Sequence, residues 1–122
     1  QDVNSFVTQA FEHKTFFTRL HHFVLVSDAF IVTPGGIGTV LETFMVWQLL
    51  QVRHLHDVPL ILAGHFWDGL LDWTKAAMLK PDIPLISPQD LQIPQVLPDA
   101  PSIVNAICEH HAQWKARQGQ PA

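Results

Sequence analysis

The sequence predicts an α/β domain built on a parallel sheet with helices on its faces. Three observations carry that expectation. The apolar runs AFIVT (29–33) and VPLILAG (58–64) are continuous rather than alternating, as in strands buried on both faces. Stretches with apolar residues three and four apart separate such runs, which is the period of an amphipathic helix. Glycines and prolines punctuate the junctions.

Taken in order, SFVTQAF (5–11) is short, apolar and β-branched and reads as a strand. Residues 12–27 read as a helix, with Phe16, Leu20, Phe23 and Val24 on one apolar face and Arg19 and His22 pointing elsewhere. The strand at 29–33 ends in Pro-Gly-Gly, and a helical pattern runs from Thr39 to about His54. The strand at 58–64 closes on Gly64. Residues 66–80 follow as a helix whose apolar side is expected to hold Phe66, Leu70, Trp73, Ala77 and Leu79, stopped by Pro81. Residues 81–101 are rich in proline and read as a long connection with one short edge strand around LQIPQVL. The last helix spans 101–117, with Pro101 near its first turn, and the tail 118–122 is expected to fray. In α/β sheets of this kind ligands sit beyond the carboxyl ends of the strands.

At 122 residues the chain, 1–122, is expected to form a single domain. Hydrophobic residues make up 48% and charged residues 15%, a balance that suits a packed core and argues against disorder. The net charge of −4, with no basic run, argues against a nucleic-acid footprint. No apolar run approaches the ~18 residues of a membrane span, and no signal peptide is present, so a cytoplasmic protein is expected. The single Cys108 allows no internal disulfide and reads as a small apolar residue of the last helix. The chain opens on QDVNSF without Met, as a fragment does, or a domain whose first part lies elsewhere.

The stretch PGGIGTVLE (34–42) carries the chemistry. Gly35, Gly36 and Gly38 lack Cβ atoms, so backbone N–H groups can approach a ligand closely and the chain can take positive φ. The helix that follows turns unpaired N–H groups and its positive dipole end toward the same space, which suits a phosphate. Thr39 adds a hydroxyl. The loop is neither a Walker A sequence nor a GxGxxG fingerprint. A tight strand-to-helix turn without a ligand fits the same residues. Glu42 reads in two ways: as a dipole complement and capping-box partner of the first turn, or as a carboxylate beside a bound phosphate that stabilises a cationic sugar centre or activates water.

PGGIGTVLE matches PGGxGTxxE, and on that motif the chain resembles the LONELY GUY-type phosphoribohydrolases, a family often labelled lysine decarboxylases. FFTRLHHFVLVSDAFIVT resembles the segment that precedes the motif in that family, and VPLILAGHFWDGLLDW extends the likeness loosely over most of the chain. The resemblance implies a Rossmann-like fold with helices on both faces of a parallel sheet, here without the family's N-terminal strands. It implies hydrolysis of the N-glycosidic bond of a nucleoside 5′-monophosphate, releasing free base and ribose 5-phosphate, with no cofactor and no metal. Gly35, Gly36, Gly38 and Thr39 would hold the 5′-phosphate, and Arg19 and Glu42 would form the catalytic pair. The family's arginine is followed by lysine, whereas Arg19 is followed by Leu20. A non-catalytic nucleotide-binding module is the competing expectation. Family members are usually dimers through helices near the glycine loop, and FMVWQLL (44–50) is apolar enough on several faces for that role or for burial within one subunit.

The eight histidines show no HExxH or Cys/His spacing, so no metal site is expected. His13 and His22 read as solvated or capping residues before pocket residues. Trp47, Trp67, Trp73 and Trp114 are expected in packing positions, with Trp67 a weaker candidate for stacking on a base. Asp28 is expected to close a turn, and Asp68 and Asp72 to lie on a solvated face. Decarboxylation of lysine would need pyridoxal phosphate, usually on a Schiff-base lysine, and Lys14, Lys75, Lys80 and Lys115 all lie away from the glycine loop in sequence.

Overall fold

The structure, a computed structural model, describes residues 16–119. Its elements run α1 (Phe16–Val26), β1 (Phe30–Val32), α2 (Ile37–Gln51), β2 (Leu60–Ala63), a 3₁₀ turn (His65–Trp67), α3 (Asp68–Met78), a second 3₁₀ turn (Asp90–Gln92), β3 (Pro94–Leu97) and α4 (Ala100–Gln118). The strand expected at 5–11, the first residues of the helix expected from 12, and His13 and Lys14 lie outside the described residues.

The sheet has the order β1-β2-β3 and is parallel throughout, with Phe30 opposite Leu60 and Leu60 opposite Pro94. Strand β2 is central and its side chains are almost wholly removed from water: Leu60, Ile61 and Leu62 are 1%, 0% and 0% exposed. Leu60 and Leu62 point into a cluster with Val24 of α1, Phe30 of β1, Val46 and Trp47 of α2, and Trp67. Ile61 points to the other face, where α4 crosses β2 and buries Ile103. Helices therefore cover both faces of β2, which is why its sequence is an unbroken apolar run. Pro94 opens β3, a position where a strand tolerates a missing N–H.

The helix boundaries have local causes. Asp99 caps α4: its carboxylate accepts from the Ser102 N–H at 2.9 Å and the Ser102 hydroxyl faces back to the Asp99 N–H, with Pro101 in the first turn. Hydrogen bonds to Asp99 hold its carboxyl below the usual range, the Ser102 N–H contributing most and the Ser102 hydroxyl adding to it. The proline-rich connection is tied down at Asp90. Its backbone carbonyl accepts the Trp47 indole N–H at 2.9 Å, and its carboxylate accepts from the Gln51 amide at 3.0 Å and the Ser87 N–H at 2.9 Å. The Ser87 N–H, then the Gln51 amide, lower the Asp90 pKa against a smaller opposing effect of burial.

Three packing expectations are corrected. In the 66–80 segment the inward stripe is Trp67, Leu70, Leu71 and Thr74, while Phe66 and Trp73 are exposed. Two adjacent stripes of that helix are apolar, and Thr74 joins the buried one because its hydroxyl donates to the Leu70 carbonyl at 2.8 Å. Of the four tryptophans only Trp47 and Trp67 are core residues, and Trp67, 1% exposed, is too buried to stack on a base. On α1, Leu20 and Val24 are buried, but Phe23 lies half outside, its ring tilted against Phe30 at 5.8 Å. Cys108 lies in α4 as expected but is exposed. No helix among the described residues is long and apolar enough to cross a membrane.

Two outcomes test this fold. Ile61→Ala empties a fully buried position of the central strand, and its expected cost is about 2–5 kcal/mol in urea unfolding. Asp90 has a folded pKa below its ordinary value of 3.8, so its contribution is complete above that value and disappears as pH falls through the folded pKa. The stability difference between the natural chain and Asp90→Asn is therefore expected to be largest near neutral pH and to shrink on acidification below pH 3.8, read from thermal midpoints across a pH series.

Candidate functional site

Strand β1 ends at Val32 and delivers residues 33–36 to the carboxyl edge of the sheet, where α2 begins at Ile37. The N-cap of α2 is Gly36, which has no side chain to cap with, and no acidic residue lies in the first turn. Intrahelical bonding starts with the Val40 N–H donating to the Gly36 carbonyl at 3.1 Å. The N–H groups of Ile37, Gly38 and Thr39 therefore have no acceptor within the helix and face the loop with the positive dipole end. Residues 33–38 are exposed, so this end of α2 is open to a ligand.

The glycines act here through missing volume. Among the described glycines only Gly64 has positive φ, at 91°, so the expectation of positive φ in the loop is corrected. A Cβ on Gly35 would sit 2.3 Å from the Thr39 hydroxyl oxygen, an impossible approach. Glycine at 35 is what lets the Thr39 side chain fold back against the loop, where its hydroxyl joins the backbone donors. Gly36 and Gly38 face open space, and a Cβ at either would meet nothing within 4 Å. No neighbour within the fold demands glycine there, and the absent side chains leave the helix end bare.

Because α2 starts two residues before Thr39, Glu42 lies beyond its first turn. The capping-box expectation for Glu42 is thereby corrected: its side chain does not cap the helix. Glu42 is half-buried, one turn along the same face as Thr39. Arg19 comes from α1. The short connection from Val26 to Phe30 makes α1 run back along β1, and the Phe23–Phe30 ring contact sets their relative level. Arg19 is one turn, about 6 Å, beyond Phe23 toward the carboxyl end of β1. It is exposed, whereas Leu20 beside it is 5% exposed and belongs to the core. The structure thus gathers Gly35, Gly36, Gly38, Thr39 and Glu42 on one loop and helix, while Arg19 lies exposed on α1.

One pair at this edge was not expected. Beyond β2, Gly64 donates to the Leu97 carbonyl at 2.7 Å, and the His65 imidazole then meets the Asp68 carboxylate at 3.0 Å, both side chains exposed. Asp68 is on a solvated face, as read, but it has a partner. A histidine directly after the glycine that closes a buried strand was the available signal. Among the described residues no group of three His, Cys, Asp or Glu side chains is arranged to hold a metal ion.

Comparison with known proteins places these residues in context. A family model described as possible lysine decarboxylase matches residues 1–107. A cytokinin riboside 5′-monophosphate phosphoribohydrolase of Mycobacterium tuberculosis is 39% identical over 69 residues, 54% of this chain and 34% of that protein. A probable cytokinin riboside 5′-monophosphate phosphoribohydrolase of Oryza sativa subsp. japonica is 35% identical over 86 residues, 69% of this chain and 36% of that protein. The matched part is about a third of the length of these curated relatives. The name lysine decarboxylase implies pyridoxal phosphate, and the described lysines do not fit it. Lys75 and Lys115 lie in the last turns of α3 and α4, which run away from the glycine-loop edge, and Lys80 follows α3. The glycine loop, the arginine register before it and a match over 107 residues agree, and the chain belongs to this family of LONELY GUY-type proteins, the one described as possible lysine decarboxylases.

Proposed function

We propose that this chain carries the phosphate-binding and catalytic elements of a nucleoside 5′-monophosphate phosphoribohydrolase. The observation that carries the reading is the uncapped, glycine-lined start of α2 with Glu42 one turn past Thr39. The two relatives named for this activity support it. The 5′-phosphate sits against the N–H groups of Ile37, Gly38 and Thr39 and the Thr39 hydroxyl, with Gly35, Gly36 and Gly38 giving it room. The ribose then extends along α2 toward Glu42.

Cleavage of the C1′–N bond builds positive charge on the ribose ring. The Glu42 carboxylate stabilises that charge and orients water, whose oxygen bonds to C1′ while its proton ends on the departing base. Arg19 supplies a cation, positioning the carboxylate or binding substrate. None of these steps calls on a metal. A nucleotide-binding module without turnover is the second reading. The burial of Leu20 favours it, because the position of the family's second cation is turned into the core.

Helix α2 also supports self-association. Thr43, Val46 and Trp47 face inward, yet Ile37 and Leu41 one turn apart, and Val52 just past the helix, expose apolar side chains on the outside, Ile37 at 87%. A helix apolar on both sides suits burial on both sides. A second copy of this chain is the partner that the family resemblance implies.

Incubation with a panel of nucleoside 5′-monophosphates is expected to release free base and ribose 5-phosphate, and Glu42→Gln to lower the rate by at least about a hundredfold. Full activity in Glu42→Gln rejects the mechanism, and calorimetric binding without product in the natural chain selects the binding module. In sedimentation, the natural chain is expected as a dimer and Leu41→Glu as a monomer.

A further inference from the structure

The edge of the sheet opposite the glycine loop holds a cavity of about 470 Å3, within the size range of small-molecule sites. Its apolar floor is Ala29 ahead of β1, Val58 and Pro59 ahead of β2, and Ile107 of α4. Its wall is aromatic. The rings of His111 and Trp114 lie 5.9 Å apart and nearly parallel, and Trp114 keeps 44% of its surface open.

The cavity is lined by two carboxylates and three imidazoles, those of His56, His110 and His111. In a parallel α/β sheet the helices that precede strands end at the amino edge, and α1 and α2 do so at Val26 and Gln51. Their C-termini bring partial negative charge. The lining contains two carboxylates, Asp28 and Asp57, and no lysine or arginine. Arg53 lines an adjoining cavity that shares Asp57, Val58, Pro59 and His110 with this one. Asp57 is committed elsewhere: its carboxylate receives the His110 imidazole at 3.2 Å and pairs with the Arg117 guanidinium. This pairing fastens α4, and so the aromatic wall, to the loop before β2. Asp57 does this from the left-handed region, at φ 56°, which aspartate enters more readily than most side chains. Asp28 has no ion pair or hydrogen bond with any described residue, and it is exposed at the cavity mouth.

From this juxtaposition we propose that the cavity is a second ligand site, one that takes a small aromatic ammonium ion. The ring lies over the apolar floor against Trp114, and the ammonium group meets the unpaired Asp28 carboxylate. Attraction of the cation to the open face of Trp114 adds to the ion pair. An anion of the same shape meets the Asp28 carboxylate and two helix C-termini, so the site discriminates by charge. The two edges of one sheet therefore take ligands of opposite sign.

Phenethylammonium is the probe, titrated into the isotopically labelled 122-residue chain and followed in 1H–15N spectra, with 3-phenylpropionate as the anion of similar size. Saturable shifts confined to residues 28–29, 56–59 and 107–114 are expected, with phenylpropionate at least about tenfold weaker. Asp28→Asn is expected to weaken binding about fivefold, and Trp114→Ala by a similar factor. Asp28 makes no described contact, so its substitution tests the site even if Trp114→Ala loosens α4. Absent or unsaturable shifts, equal binding of phenylpropionate, unchanged affinity in Asp28→Asn, or shifts centred on residues 33–42 each overturn the proposal.

Discussion

Everything in this fold hangs from the burial of β2 on both faces. Leu60 and Leu62 close one core and Ile61 the other, and none of the three is more than 1% exposed. Two consequences follow from a strand so enclosed. Its neighbours must supply parallel hydrogen bonds on both edges, which fixes β1 and β3 beside it. The crossovers that bring the chain back, α2 and α3, must then lie on the sheet face that Leu60 and Leu62 present, leaving the other to α4.

The candidate site is a product of that arrangement. Because β1 and β2 are parallel neighbours, α2 has to start at the carboxyl edge, and its unpaired N–H groups have to face outward there. A polar side chain at the cap would satisfy them internally. Gly36 leaves them unsatisfied, and Gly35 admits the Thr39 hydroxyl to the same space. The site is thus made largely of backbone, held in place by the most buried strand of the molecule. The side chains that give it chemistry, Glu42 and Arg19, come from helices packed against that core.

Much of this was legible in the residues themselves. The runs 29–33 and 58–64 announce strands because burial on both faces removes the polar half of the pattern, and PGGIGTVLE stands out because it matches the family motif over nine residues, where the glycines alone would also fit a plain turn. What escaped was decided by geometry that spacing does not encode. Starting α2 at Ile37 rather than Thr39 depends on the backbone at Gly36, and that difference takes Glu42 out of the first turn. The inward face of α3 is chosen by the 3₁₀ turn His65–Trp67, which sets Trp67 inward and Trp73 outward although both stripes are apolar. The cavity at the amino edge joins residues near 28, 57 and 110, three distant segments with no shared motif.

The register of the sheet also bears on how the chain reaches this state. Phe30 meets Leu60 and Leu60 meets Pro94, so every strand pair joins segments separated by a whole helix and its loops. No pair can form as a local hairpin. Each requires closure of a long loop, an entropic cost met before the contacts that reward it. Helices α2 and α4 need no such closure, whereas β2 gains its ladder only once segments distant in sequence have arrived. Until then its apolar run is exposed, so the segment that anchors the finished protein is also the one most prone to pair wrongly while the protein is being made.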